Sequence, residues 1–234
     1  MFLVEVKGLS KYYGKVRAVE NVSLSVGRGE IFGLLGPNGS GKTTMIKCLT
    51  GQLKPTQGEV SVLGLDVLRE PVRTRELVGI IPEQENPPSF LTAEEYLHFV
   101  ASVRKMPNCE AQIKHWLGFL GYQDQKSMLC KDLSRGTRQK LMFTQAFMHK
   151  PVLAFIDEPL VNLDPIAQRK IKDFLLGYAK KGNTVIISTH DLDIAGELCD
   201  SIGILNKGRL LYRGKPKKDL EKFFLKLVKN AKAK

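Results

Sequence analysis

The stretch Gly36-Pro37-Asn38-Gly39-Ser40-Gly41-Lys42-Thr43 constrains this chain more than any other feature of it. It follows the compact apolar run Ile31-Phe32-Gly33-Leu34-Leu35, which reads as a buried strand, and leads into a helix from about Lys42. Glycines let the backbone fold tightly enough for successive N–H groups to point inward at an anion, and a helix N-terminus adds about half a positive charge. In the pattern G-x-x-x-x-G-K-[ST] between a strand and a helix, Lys42 meets the β- and γ-phosphates of a nucleotide and the Thr43 hydroxyl ligates Mg²⁺. Gly36 to Thr43, namely Gly36, Pro37, Asn38, Gly39, Ser40, Gly41, Lys42 and Thr43, together with Thr44, are the expected nucleotide-binding residues.

A second strand-end site follows 115 residues after Lys42, where Val152 to Ile156 delivers Asp157 and then Glu158. Adjacent residues on a strand end point in different directions, so Asp157 can serve the Mg²⁺ shell while Glu158 addresses an attacking water as general base. Another apolar run, Thr184-Val185-Ile186-Ile187-Ser188, comes after a helix that follows Pro165, which predicts a parallel sheet with crossovers. Residues 1–32 read as short strands with turns at Tyr13-Gly14-Lys15 and Gly27-Arg28-Gly29, and Leu77–Ile81 as a further strand. Between Pro82 and Lys150 the spacing is helical, with a capping box at Thr92-Ala93-Glu94-Glu95. The expected fold is α/β: a phosphate-loop NTPase core with a mostly parallel sheet, an N-terminal antiparallel β layer and an inserted α-helical subdomain at about 84–150.

With 43% hydrophobic and 26% charged residues in 234, the chain can bury a real core, and no run approaches the ~18 apolar residues of a membrane span. Met1 to Lys7 carries an acid inside an alternating stretch and reads as a strand, not a signal peptide. Cys48, Cys109, Cys130 and Cys199 show no metal-ligand spacing and are expected as buried thiols in a reducing cytoplasm. The net charge of +12 is concentrated at the C-terminus: from Lys207 to Lys234, 11 Lys/Arg face only Asp219 and Glu221. Such a local excess argues against a nucleic-acid groove across the whole domain.

Between the two site segments lies Leu133-Ser134-Arg135-Gly136-Thr137, where Ser134 is placed to cap a helix running to Met148. The order of phosphate loop, Leu-Ser-x-Gly element, strand-Asp-Glu and a later Ser188-Thr189-His190 resembles the ATP-binding-cassette transporter ATPases, over about Leu3 to Gly214. That resemblance implies an ATPase acting as the motor of a transporter, with ATP and Mg²⁺ as cofactors. It implies that Tyr13 stacks on adenine, that His190 is a switch residue at the γ-phosphate, and that Asp164 lies in a loop crossing between two halves of a dimer. Ser134, Arg135 and Gly136 would present a helix N-terminus to the ATP of the partner, in a homodimer or a heterodimer with a sibling. Separate membrane-spanning subunits are the implied partners, docked near Pro87-Pro88-Ser89-Phe90, with the chain on the cytoplasmic face of a membrane.

The chain departs from the family pattern at three places. Arg135 and Thr137 replace the usual glycine and glutamine, and a basic residue at the first position is common in exporter-like cassettes. Asn162 stands where the family has a small residue. After Ile81-Pro82, Glu83 occupies the position of a metal-contacting glutamine, with Gln84 next. Either Glu83 ligates the metal or the loop turns one residue later; the neutral Gln84 is preferred, since it avoids placing a carboxylate near the γ-phosphate. Residues 215–234 form a basic tail in which Leu220, Phe223, Phe224, Leu227 and Val228 share one helical stripe. That stripe either packs on its own domain or lies against anionic lipid. Conformational work without transport, and ribosome or nucleic-acid association, are the rival functions.

Overall fold

The computed structural model describes residues 2–83, 87–158 and 160–230. The N-terminal layer is an antiparallel sheet of four strands, β1 (Phe2–Tyr13), β2 (Val16–Gly27), β4 (Gln57–Val62) and β5 (Leu65–Asp66), ordered β2-β1-β4-β5. In place of short strands, β1 and β2 each run 12 residues, with register shifts that bend the pair. Such bulges let a long ribbon curve over a neighbouring layer without breaking its ladder.

The second sheet has six strands in the order β10-β9-β3-β8-β7-β6. Its members are β3 (Ile31–Leu35), β6 (Val78–Ile81), β7 (Leu153–Asp157), β8 (Thr184–Thr189), β9 (Ser201–Asn206) and β10 (Arg209–Gly214). Only β10 runs antiparallel to its neighbour. The central strands are apolar on both faces, as a sheet covered on both sides requires. Alternation sorts them: Ile31, Leu35, Ala154 and Ile156 enter one core, while Phe32, Leu34, Leu153 and Phe155 enter another beneath the antiparallel layer. Leu77 ends a helix, α2 (Pro71–Leu77), so the sixth strand begins at Val78 and not one residue earlier. Helix α1 (Lys42–Leu49) lies between the sheets, with Met45, Ile46, Cys48 and Leu49 in the second core.

Between β6 and β7 the chain runs through α3 (Ala93–Val103), α4 (Glu110–Leu120) and α5 (Arg135–Phe147). Thr92 caps α3 in a reciprocal box with Glu95, the arrangement its sequence predicts. Trp116 and Phe143 join Phe147 and Phe174 in an aromatic cluster that fastens this helical segment to α6 (Pro165–Lys180). Helix α7 (Leu192–Leu198) follows β8, and α8 (Leu220–Asn230) closes the described chain. The α8 stripe rests on its own domain: Leu220 is buried and Phe223, Phe224 and Leu227 pack against the first core, leaving Lys222, Lys226 and Lys229 exposed. Cys48, Cys130 and Cys199 are buried, but Cys109 is only half-buried, which departs from the expected set of four buried thiols. No helix among the described residues is long and apolar enough to cross a membrane.

Candidate nucleotide site

Parallel strands β3, β7 and β8 are neighbours, and their carboxyl ends lie side by side: Leu35 pairs with Thr189, and Asp157 with Ser188. Loops leaving that edge form a crevice, the usual ligand position of open α/β sheets. A cleft of about 400 Å³ opens there, lined by Val16 to Ala18, Asn38 to Thr44, Glu83, Asp157 and Glu158.

The phosphate loop is shaped by close approach. Gly41 has φ +106°, and a Cβ there would collide with the carbonyl oxygen of Ala18. Only glycine combines that backbone with that contact. The loop is buttressed from behind by the β9–β10 turn, where the Gly208 N–H donates to the Ser40 carbonyl at 2.9 Å. Lys42 Nζ donates to the carbonyls of Gly36 at 2.8 Å and Pro37 at 3.3 Å, which holds the ammonium over the loop. Burial pulls the Lys42 pKa down, and the charges of Glu158, Asp157 and Glu83 pull it back up. The Ser40 hydroxyl is buried with no hydrogen-bond partner among the described residues, so a donor stands uncommitted inside the cradle.

Thr43 Oγ1 lies 3.0 Å from Asp157 Oδ2 and 3.3 Å from Glu83 Oε2. A hydroxyl between two carboxylates is a set of hard oxygen donors, the chemistry that suits Mg²⁺. Burial raises the Asp157 pKa, opposed by hydrogen bonds from Ser188 and Thr43 and reinforced by the negative charges of Glu83 and Glu158. A carboxylate so placed lacks a compensating cation at full strength, and a divalent ion would provide one. Glu83 thus lies in the cleft beside Thr43 and Asp157; Gln84, the alternative, lies outside the described residues.

Glu158 has φ +49°, a left-handed conformation that costs a non-glycine residue of order 1 kcal/mol. Its N–H donates to the Ser188 carbonyl at 2.9 Å, which fixes the peptide. Thr189 Oγ1 donates to Oε2 at 3.0 Å, and the His190 N–H donates to Oε1 at 3.1 Å. His190 Nδ1 lies 2.6 Å from the same Oε1. The strand end thus turns the carboxylate into the cleft and gripping donors hold it there.

Tyr13 sits at the end of β1, 49% exposed, and pairs with Val16, whose strand lines the cleft. Ser134, Arg135 and Gly136 do not line the cleft. Ser134 caps α5, accepting from the Thr137 N–H at 3.1 Å, and the α5 N-terminus faces outward. A Cβ at Gly136 would lie 2.7 Å from the Asn162 carbonyl oxygen, so the helix start and the Asn162 loop touch. Asn162 itself has φ +64°, a conformation asparagine tolerates well, which accounts for a residue larger than the usual one at this position. Asp164 caps α6 through the Ala167 N–H at 2.8 Å and pairs with Lys140 of α5 at 3.1 Å. Sequence reasoning misses Val16, Arg17, Ala18 and Gly208 as parts of this site, and reads Ser188 and Thr189 only as the approach to His190, although their hydroxyls donate to Asp157 and Glu158. Of the first four, only the glycine of Lys207-Gly208 carries a signal, as a turn residue.

Residues 19–161, more than half of the chain, match the family described as ABC transporter. The probable multidrug ABC transporter ATP-binding protein YbhF of Escherichia coli (strain K12) is 35% identical over 216 residues, 92% of this chain and 37% of that protein. The chain thus spans little more than a third of that relative's length. A solved structure of the ATP binding subunit of an ABC transporter superposes with a TM-score of 0.89 at 32% identity, covering 99% of this chain and 100% of that one. A dimeric, post-hydrolysis ATP-binding cassette bound to ADP and Pi superposes with a TM-score of 0.83 at 26% identity, covering 92% of this chain and 99% of that one.

Proposed function

This chain belongs to the ABC transporter family of ATP-binding proteins, and from that premise we propose that it hydrolyses ATP to drive a transporter whose membrane-spanning subunits are separate chains. The observation that carries the proposal is the convergence of Lys42, Thr43, Asp157 and Glu158, from distant parts of the sequence, on one cleft at a strand edge. Lys42 and the N–H groups of the loop bind the β- and γ-phosphates. Thr43, Asp157 and Glu83 would hold Mg²⁺, which supplies charge neutralisation on the phosphate oxygens. Glu158 takes the proton of the attacking water, oriented by Thr189 and His190. His190 also faces the position of the γ-phosphate, and Tyr13 stacks on the adenine from the neighbouring hairpin.

Ser134, Arg135 and Gly136 act on the nucleotide of a second cassette, with Asp164 at the crossing between the two. Support comes from the exposure of Ser134, Arg135 and Asp164, with Gly136 half-buried beside them, away from this chain's own cleft. The membrane subunit docks near Pro87 to Phe90, a reading supported by the 77% exposure of Phe90, and a chain docked in that way would lie on the cytoplasmic face of a membrane. With the apolar stripe of α8 committed to the domain, contact with anionic lipid would fall to basic residues outside the stripe, among the described ones Lys222, Lys226 and Lys229 on α8. Reversing all three to Glu should abolish salt-sensitive binding to anionic vesicles; unchanged binding removes the lipid role.

Nucleotide binding by Lys42→Ala tests the central proposal. Loss of the buried ammonium should remove binding of a fluorescent ATP analogue while the thermal transition without nucleotide is retained. Binding that survives the substitution overturns the assignment of the cleft.

A further inference from the structure

Away from the nucleotide cleft, the helical segment brings together three side chains that the proposed function does not use. His98 lies in the middle of α3, Cys109 immediately precedes α4, and Glu110 is the first residue of α4. The connection between the helices reverses within a few residues: Lys105 and Asn108 both take φ +51°, and Pro107 stands between them. That reversal sets the Cys109 thiol opposite His98. Cys109 Sγ lies 3.6 Å from His98 Nδ1, and Glu110 Oε1 lies 3.6 Å from the same nitrogen. One sulfur, one imidazole nitrogen and one carboxylate oxygen all fall within 4.8 Å of one another.

We propose that His98, Cys109 and Glu110 form a binding site for a thiophilic divalent transition-metal ion of the Zn²⁺ class. Metal–ligand lengths of about 2.3 Å for sulfur and about 2.0–2.1 Å for nitrogen, at tetrahedral angles, place sulfur and nitrogen about 3.6 Å apart. The same reasoning puts nitrogen and oxygen about 3.4 Å apart. Both separations are close to those in the structure, so an ion can be seated by small rotations of the Glu110 side chain, which is exposed and free to adjust. Charge balances as well: a thiolate and a carboxylate offset the two positive charges, and the imidazole stays neutral. Thiolate and imidazole select against Mg²⁺, which prefers oxygen, so this site does not compete for the ion of the nucleotide cleft. The half-burial of Cys109 and His98 leaves a face toward solvent for a fourth, water ligand.

An S–H···N hydrogen bond from Cys109 needs His98 Nδ1 unprotonated, whereas an ion pair with Glu110 needs the same nitrogen protonated, and a metal ion satisfies both contacts at once. An ion held here ties the middle of α3 to the start of α4. It would stiffen the helical segment that carries α5 and the exposed Ser134 end.

Co²⁺ titration of the full chain, with Mg²⁺ and ADP saturating the cleft, tests the site. A cobalt–thiolate bond gives a near-ultraviolet charge-transfer band that oxygen ligands do not. The intact chain should show the band, saturating at one ion per chain and displaced by Zn²⁺. Cys109→Ser should lack it, and His98→Ala and Glu110→Gln should each weaken Co²⁺ binding by about tenfold or more. Circular dichroism melts without metal establish that the variants fold, and Zn²⁺ should raise the transition of the intact chain but not that of Cys109→Ser. No band in the intact chain overturns the proposal. So does a band that survives Cys109→Ser, or one indifferent to both His98→Ala and Glu110→Gln.

Discussion

The phosphate-loop cleft and the N-terminal end of α5 are built by opposite rules. In the cleft the charged side chains are gripped: Lys42 by two carbonyls, Asp157 by Thr43 and Ser188, Glu158 by Thr189 and by the backbone and ring of His190. At the α5 end, Ser134 and Arg135 are exposed, and the contacts that fix the helix start run backward, from Gly136 to the Asn162 loop and from Lys140 to Asp164, instead of forward to a ligand. Preorganised donors aimed at a reacting group reduce the reorganisation needed at the moment of reaction. A helix start held firmly but facing outward is preorganised for something beyond its own chain. Under the proposed function, one half of a catalytic site is complete here and the other half is displayed.

The gripped half makes the largest expected effect. Glu158→Gln preserves shape and the hydrogen bond from Thr189 but cannot accept the water's proton, so ATP turnover should fall by roughly 10²–10⁴-fold with ATP binding retained. Single-turnover hydrolysis at saturating ATP measures it. A variant with near-normal turnover would show that the grip on Glu158 serves structure alone.

The displayed half can be broken separately. Ser134→Glu puts a like charge where the partner's γ-phosphate is proposed to lie, at the expense of about 1 kcal/mol of capping. Alone, it should hydrolyse ATP at least about tenfold more slowly, as should Lys42→Ala. Mixed in equal amounts, the two variants form a dimer in which one of the two shared sites carries both defects and the other carries neither. Random pairing then returns about a quarter of the intact activity, if the two sites act independently. Mixtures no more active than their components would refute a site shared between two copies of this chain.

What the sequence made legible follows the same division. The loop Gly36 to Thr43, the Asp157-Glu158 pair and the Ser134 cap were readable because each is a local pattern with its own mechanism. The division of Ile31 and Phe32 between two cores was not, because a run that is apolar throughout shows no alternation to read. Contacts made by backbone across long separations were not readable. The Ala18 carbonyl against Gly41, and the Gly208 N–H on Ser40, depend on how two sheets meet and leave no spacing to count. The pairing of Cys109 with His98 was hidden for a related reason, since it depends on the left-handed turns at Lys105 and Asn108. The left-handed backbone of Glu158 was equally invisible, because nothing in an Asp-Glu-Pro sequence announces it.

A finer effect concerns the metal side of the cleft. Glu83 Oε2 is 3.3 Å from Thr43 Oγ1, so Glu83→Ala should raise the Mg²⁺ concentration needed for half-maximal ATPase by about tenfold. Gln84→Ala should leave it unchanged. The reverse pair of results would return the metal-side role to the neutral residue, which sequence reasoning preferred on grounds of charge.

The smallest effect sharpens the contrast from the side of stability. Asp157 is 4% exposed, and burial together with Glu83 and Glu158 holds its pKa above the ordinary 3.8 despite the hydrogen bonds from Ser188 and Thr43. A carboxyl whose folded pKa is raised binds its proton more tightly in the folded chain than in the unfolded one. Its ionisation therefore opposes folding, fully so above the raised pKa and not at all below about 3.8. Asp157→Asn keeps the shape and removes the charge, although it also withdraws one of the three counterions of Lys42. Glu158 is the strongest of those three and remains, so the net change should be stabilising. At neutral pH, without nucleotide or Mg²⁺, the variant should gain about 1 kcal/mol, a rise of about 2–4 °C in Tm for a chain of this size. That advantage should shrink as pH falls through the raised pKa, because the intact chain then takes up the proton itself. Calorimetric scans of both proteins across that range measure it. A variant that melts below the intact chain at neutral pH would mean that Asp157 supports the fold, and that the cleft holds no destabilised charge waiting for a cation.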